Sequence, residues 1–279
     1  MPADRTPLPP NFRLQLLPPA EAVSAFADRA LLLPSFAWQD VWQEEHTRAF
    51  TVAKLLRADL LQTVHDAVEA AITQGISPSA FADLVEPALK KAGWWGTVEV
   101  LDPATGELAK TEFTDARLRL IYDVNVRQSY AAGRWARIER NAAQFPLVRY
   151  RTQRDERVRA AHAAWDGVTL PVRHVWWQMH YPPCGWRCRC HAYALDAAGA
   201  DDLRAAGLSV KTDAPETRWI DYERPDGTVV QVPAGVDPGF GYNPGLASQR
   251  ADELDAMVRD KLARLAAPIA HQLTLDLGR

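Results

Sequence analysis

The residues with the greatest chemical capacity crowd into one stretch, Arg157 to Leu195, which reads RVRAAHAAWDGVTLPVRHVWWQMHYPPCGWRCRCHAYAL. It holds all three cysteines, four of the seven histidines and four of the ten tryptophans of the 279-residue chain. The cysteines are spaced Cys184-x3-Cys188-x-Cys190 behind Pro182-Pro183, with His180 and His191 on either side. Thiolates and imidazoles are the ligands zinc prefers, and it holds four of them tetrahedrally. On an extended strand Cys188 and Cys190 point the same way, so both sulfurs can reach one ion. His162, His180 or Cys184 can complete the shell. The candidate metal ligands are therefore Cys188, Cys190, Cys184, His162 and His180, and Zn2+ is the cofactor they could hold. A C-x-C pair is a less specific signal than paired C-x2-C ribbons. The competing reading has the thiols as small buried residues pinning a turn, with His162 satisfied by a backbone carbonyl.

Other chemistry finds less support. A cysteine nucleophile with a histidine base also needs an orienting third group and an oxyanion site, and no local cysteine-protease signature is present. A metal-dependent hydrolase wants carboxylates on its metal, and Asp166 is the only acid inside the stretch. There is no Walker loop, no GxGxxG and no His-Glu-x-x-His. The expectation is no enzyme and no catalytic residue.

Residues 117–159 form the one strongly biased tract, with eleven arginines and no lysine against four acids, Asp123, Glu139, Asp155 and Glu156. Arginine forks suit phosphate and carboxylate, so Arg127, Arg134, Arg137, Arg140, Arg149 and Arg151 are candidate contacts to a partner or to DNA. The plainer alternative is a wet helix face tied down by intrachain ion pairs.

These residues need elements to hold them. Residues 1–19 are proline-rich and aperiodic, which predicts an extended arm. A helix is expected over 20–33, ended by Pro34, and a long one from an Asp40 cap to about Thr73, stopped by Gly75. Ser77-Pro78 opens another helix that ends near Gly93. Two short strands, 97–101 and 108–113, flank a turn at Asp102–Gly106. Thr114 opens a long helix to about Asn141, with Leu118, Ile121, Tyr122, Asn125, Tyr130 and Trp135 as its buried positions. A strand at 147–152 and a short helix at 155–165 lead into the cysteines. Arg224-Pro225-Asp226-Gly227 is a hairpin turn within 218–232, and the 236–245 loop precedes a last helix over 246–266. The fold class is α+β, predominantly α-helical. A helical domain, 20–145, carries the 97–113 hairpin, and a smaller α+β domain, 146–245, is pinned by the Cys/His cluster; 246–279 form a C-terminal helix and tail.

Ten tryptophans are many. Trp94, Trp95 and Trp186 are expected to staple segments, and one ring each of the Trp94-Trp95 and Trp176-Trp177 pairs should face outward. Gly239 and Gly241 should allow turns that tuck Phe240 into the core.

Bulk properties set limits. A net charge of −3 argues against coating nucleic acid by overall charge. Three cysteines clustered together make no disulfide framework, and reduced thiols in a cytosolic setting are expected. Neither a signal peptide nor a run of eighteen apolar residues is found, so no membrane partner is expected.

The order of several motifs resembles a known family. Arg159-x-x-His162, Asp166-Gly167, Trp176-Trp177 and Tyr181-Pro182-Pro183-x-Gly185-Trp186-x-Cys188-Arg189-Cys190 are similar to the signature of the phage head morphogenesis proteins typified by the F protein of phage Mu. Phe36-x-Trp38-Gln39-Asp40-Val41-Trp42, His46-x-x-Ala49-Phe50-Thr51-Val52-Ala53, Gly93-Trp94-Trp95-Gly96 and Val236-Asp237-Pro238-Gly239-Phe240-Gly241-Tyr242-Asn243-Pro244-Gly245 resemble further landmarks in the same order. The likeness covers roughly residues 12 to 250. Cys184 departs from it, standing where relatives often carry a polar residue such as Asn. The resemblance implies a minor capsid protein of a Mu-like tailed phage or prophage, present in few copies and acting in head assembly around the portal. It implies portal, major capsid or scaffold proteins as partners, with packaged double-stranded DNA as a further one. It implies a place in the virion head, and in the host cytoplasm during assembly. The runner-up is a metal-dependent DNA-processing enzyme, which should show a cleft where His162, Cys188 and an acid meet an open metal position. A structural knot should be closed.

Overall fold

The computed structural model describes residues 19–102, 105–251, 253–261 and 264, without the side chains of residues 248 and 249. Residues 1–18, nearly all of the expected arm, lie outside the described residues, as does the end of the expected last helix. The fold is α+β, with helices and four small sheets among the described residues. No described helix is long and apolar enough to cross a membrane.

Local signals set many of the boundaries. Helix α2 (Ala58–Gln74) ends on Gly75 in the left-handed conformation, φ 68°. Helix α3 (Pro78–Lys91) has Pro78 in its first turn, and the Ser77 hydroxyl accepts from Ala80 N. Strands β3 (Gly96–Leu101) and β4 (Leu108–Phe113) form the expected antiparallel hairpin. Helix α4 (Asp115–Arg140) runs 26 residues. Leu118, Ile121 and Trp135 are buried on it as expected, while Tyr122, Asn125 and Tyr130 are half-buried.

The expected helix from Asp40 to Thr73 is replaced over its first half. Short 3-10 turns at Trp38–Asp40 and Gln43–Thr47 lead to strand β2 (Ala49–Phe50), which pairs in parallel with strand β1 (Leu31–Leu32). Asp40 caps backward, accepting from Phe36 N and Ala37 N, and Gln43 sits at φ +48°, where no helix continues. The helical spacing of Ala49 and Phe50 was coincidental, since a covered strand buries both. The expected 20–33 helix likewise closes early, as α1 (Ala20–Ala27), before β1.

Two cores meet on α4. Its first half packs with α2, α3 and the β3–β4 hairpin, and α1, lying along its second half, joins the same core around Phe26, Phe50, Leu61, Val68, Phe81 and Phe113. Its second half gives Ala131, Trp135 and Ile138 to the other core. That core covers strand β5 (Leu147–Arg151), central in the antiparallel sheet β6-β5-β7 between β6 (Thr169–Pro171) and β7 (His191–Leu195). Helices α5 (Ala160–Trp165) and α6 (Trp177–His180) close it, and α7 (Ala197–Ala205) follows β7. Strands β8 (Trp219–Glu223) and β9 (Val229–Pro233) make the expected hairpin. A third, small cluster joins Leu33, Val41 and Ala49 to Val258 of the helical stretch 253–261.

Both rings of Trp176-Trp177 are buried, contrary to the expectation that one faces outward. They lie at the start of a single-turn helix enclosed on several sides. Trp176 stacks on His180, and Trp177 meets Trp176 and Tyr181 edge to face. Trp94 is buried against Phe113, and Trp95 is half-buried under Lys90. The 236–245 loop does turn inward, burying Phe240 and Tyr242. Gly239, at φ +85°, lies where a Cβ would meet the Trp38 ring at 2.7 Å, whereas Gly241 shows no such conflict.

One close approach yields a quantitative expectation. A Cβ at Gly133, in the middle of α4, would lie 2.6 Å from the backbone N of Ala22 on α1. Gly133→Ala should gain up to about 1 kcal/mol of helix propensity, yet must push α1 away. A net loss of about 1–3 kcal/mol is expected in urea unfolding, and a gain in stability would contradict this packing.

Candidate metal centre and its arginine-lined cavity

His162 lies near the end of α5, buried, with its ring stacked on Trp165 at 5.1 Å. Its Nε2 is 2.9 Å from the Gly235 carbonyl. A carbonyl only accepts, so Nε2 carries the proton and the Nδ1 lone pair is free. That nitrogen faces Cys190 Sγ at 3.6 Å and Cys188 Sγ at 3.7 Å. The three ligand atoms all lie within 4.8 Å of one another. Arg187, at φ +57°, turns the backbone just before Cys188, and Cys188 N donates to Gly185 O. The two thiols share a site. Cys188 is lowered foremost because the Cys190 thiol hydrogen-bonds to its thiolate, and Cys190 is raised foremost by holding its proton toward Cys188.

The other two sequence candidates are elsewhere. Cys184 is fully buried, its Sγ donating to His180 O at 3.3 Å and 3.9 Å from the Tyr150 hydroxyl. Burial pushes its thiol up. His180 lies flat on Trp176, ring centres 4.6 Å apart, with Nδ1 donating to Trp176 O. Burial lowers its imidazole to about 4.

His162, Cys188 and Cys190 line a cavity of about 870 Å³ between α4 and the 153–159 and 186–190 segments. Six arginines also line it, Arg119, Arg127, Arg157, Arg159, Arg187 and Arg189, against one carboxylate, Asp123. Arg127 pairs with Asp123, Arg159 with Asp237, and Arg189 with both oxygens of Asp155. Arg119, Arg157 and Arg187 form no ion pair within 4 Å among the described residues. Of these six, the sequence singled out Arg127 alone as a contact residue. Two patterns carried the signal: Arg119-x3-Asp123-x3-Arg127 on one face of α4, and Arg187-Cys188-Arg189-Cys190, where charge and thiol alternate.

The remaining arginine candidates divide. Arg137 and Arg140 both bind Glu21 of α1, and the Arg140 hydrogen bond foremost holds that carboxyl down at about 2. Arg134 is half-buried and Arg151 exposed. Arg149 is 1% exposed and donates to Gly167 O, Thr169 Oγ1 and Ser209 O. It offers a partner no surface, because the inner face of the central strand points it into the protein. Trp186 is half-buried between Trp38 and Phe240. The centre thus combines features that the sequence had assigned to rival readings, since its sulfurs are largely covered, yet a cleft opens over it.

Residues 62–193, which span all of these ligands, match the family described as "Phage Mu protein F like protein". The chain is similar to the "Putative capsid assembly protein F" of Escherichia phage Mu, 34% identical over 277 residues, covering 94% of this chain and 62% of that one. It is also similar to the "Mu-like prophage FluMu F protein" of Haemophilus influenzae, 30% identical over 229 residues, covering 77% of this chain and 54% of that one. The chain therefore spans between about half and three fifths of the length of these relatives. No solved structure matches it.

Proposed function

Because this chain is one of the Mu F-like proteins, we propose that it is a minor capsid protein of a Mu-like tailed phage or prophage, acting in head assembly near the portal. Its partners in this reading are the portal and the major capsid or scaffold proteins, with packaged double-stranded DNA as a further contact during packaging or ejection. It works in the host cytoplasm during assembly and remains in the virion head. The role is structural rather than enzymatic.

The observation that carries the reading is 34% identity, over nearly the whole chain, to a protein named for capsid assembly. The surface supports it. The β8–β9 ribbon leaves Trp219, Ile220 and Val229 between 45% and 59% exposed, a concentration of large apolar side chains suited to a protein partner. The DNA-processing alternative has no carboxylate in the ligand group among the described residues, and Asp123, which lines the same cavity, pairs with Arg127. Asp166 accepts from Thr152 N and Thr152 Oγ1 and pairs with Arg154, so it is committed away from the sulfurs.

The test compares heads made with and without this chain. Heads lacking it are expected to fail in assembly or packaging, and the labelled chain should be found in few copies beside the portal. Trp219→Ser with Val229→Ser should give a folded chain that enters heads poorly. Normal infectious heads without the chain, or its absence from purified heads, would overturn the proposal.

A further inference from the structure

The arrangement at the cavity floor has the dimensions of a metal site. Ligand atoms about 2.0–2.3 Å from a tetrahedral zinc lie about 3.5–3.8 Å apart. The two sulfur–nitrogen separations here are 3.6 and 3.7 Å. The imidazole is also preset, since the Gly235 carbonyl takes the Nε2 proton and leaves Nδ1 as the ligand nitrogen. That carbonyl reaches His162 because residue 235 is glycine. At φ +91° its backbone runs so close to α5 that a Cβ would lie 2.6 Å from Ala161 Cβ and 2.9 Å from the Trp165 ring. Thiols pinning a turn would also show the carbonyl on His162, but they would not need both sulfurs facing its other nitrogen at this spacing.

Among the described residues no fourth histidine, cysteine or carboxylate joins the group. Cys184 is bonded to the His180 carbonyl, and His180 is flat against Trp176. All three ligand residues line the arginine cavity. We propose that His162, Cys188 and Cys190 hold a zinc ion whose fourth position opens on this cavity and accepts an oxygen of a phosphate group. Two thiolates and one neutral imidazole cancel the charge of Zn2+, so the metal itself attracts an anion weakly. The arginines supply the attraction. Arg119, Arg157 and Arg187, which form no ion pair within 4 Å among the described residues, have forks that match phosphate oxygens in pairs. The phosphate comes either as the free ion or within a nucleic-acid backbone, and the two sources share this chemistry.

The full chain, purified without chelator, is expected to carry about one zinc per molecule. Exchange with Co2+ should give the intense visible bands of tetrahedral cobalt and near-ultraviolet thiolate-to-metal absorption. Inorganic phosphate should shift the visible bands, and a short single-stranded oligonucleotide should shift them at lower concentration if the backbone is the source. Arg119→Glu with Arg187→Glu alters exposed side chains, so it should keep the cobalt spectrum while weakening phosphate binding about tenfold or more. Cys190→Ser should lose about half of the thiolate absorption, since one of two thiolates remains; should that variant fail to fold, the wild-type cobalt spectrum still decides. A chain that binds neither zinc nor cobalt, or binds cobalt without thiolate absorption, overturns the metal site. A cobalt spectrum indifferent to both phosphate and oligonucleotide overturns the open fourth position.

Discussion

Arg149→Met should lower the free energy of unfolding by about 2–3 kcal/mol, the cost of leaving buried carbonyl acceptors without the charged donor that served them. Arg149 sits on β5, the middle strand of its sheet, and is 1% exposed. Its guanidinium joins Gly167 O and Thr169 Oγ1 to Ser209 O, so one fork ties the 167–169 turn to the segment after α7. Methionine fills a similar volume but donates nothing, leaving the Ser209 carbonyl without that donor inside the protein. Arg149→Lys should recover only part of the loss, because one ammonium cannot span acceptors that the fork reaches with two nitrogens. Denaturant titration of the three proteins checks this. A methionine variant within about 1 kcal/mol of the parent would show that the fork contributes little.

Acid should weaken the protein at His180, by about 3 kcal/mol once the pH reaches about 4. Desolvation among Trp165, Trp176 and the surrounding core lowers this imidazole to about 4, with the neighbouring His162 adding a smaller push. The unfolded chain takes up a proton near pH 6.5, whereas the folded one resists until about 4. Stability is therefore full above about pH 6.5 and is lost as the pH falls between those values. His46, lowered by burial to about 3, adds a loss over the same range and carboxylates titrate lower, so the comparison is with His180→Phe, which keeps a ring to lie on Trp176. That variant starts weaker for want of the hydrogen bond to Trp176 O, but its stability should fall less steeply between pH 6.5 and 4.5. Parallel curves for the two proteins would remove His180 as the cause.

Much of the frame was legible because its signals are local. Gly75, Ser77-Pro78 and the 102–106 turn each act over four or five residues, and each ends or starts an element where the sequence predicts. The 34–57 region defeated the same reasoning. Its apolar residues repeat at helical spacing, but Gln43 and Lys54 have positive φ and β2 is fixed by pairing with β1, a contact invisible in local periodicity. At the centre, C-x-C indicated the two sulfurs and a short pool of histidines. Choosing among those histidines required the Gly235 carbonyl, 73 residues beyond His162, and no spacing rule reaches that far. Arg149 shows the same limit from the other side. As one arginine in a basic tract it looked like surface, and only the topology that makes β5 central puts it inside.

The distance between His162 and Gly235 also sets an order of events during synthesis. Made from the N-terminus, the chain can complete its first core once α4 has left the ribosome, since that core needs nothing beyond Tyr130. At that moment Arg119 and Arg127 on α4 still lack the segments that later wall their cavity. The two cysteines emerge later, and Gly235 and Asp237, which orient His162 and hold Arg159, later still. For that interval the nascent protein carries exposed arginines and loose thiols, free to meet nucleic acid or metal before the pocket that selects among them exists. The proposed site is in this sense a late acquisition of each molecule, completed only when the β8–β9 hairpin and the loop behind it bring Gly235 and Asp237 to it.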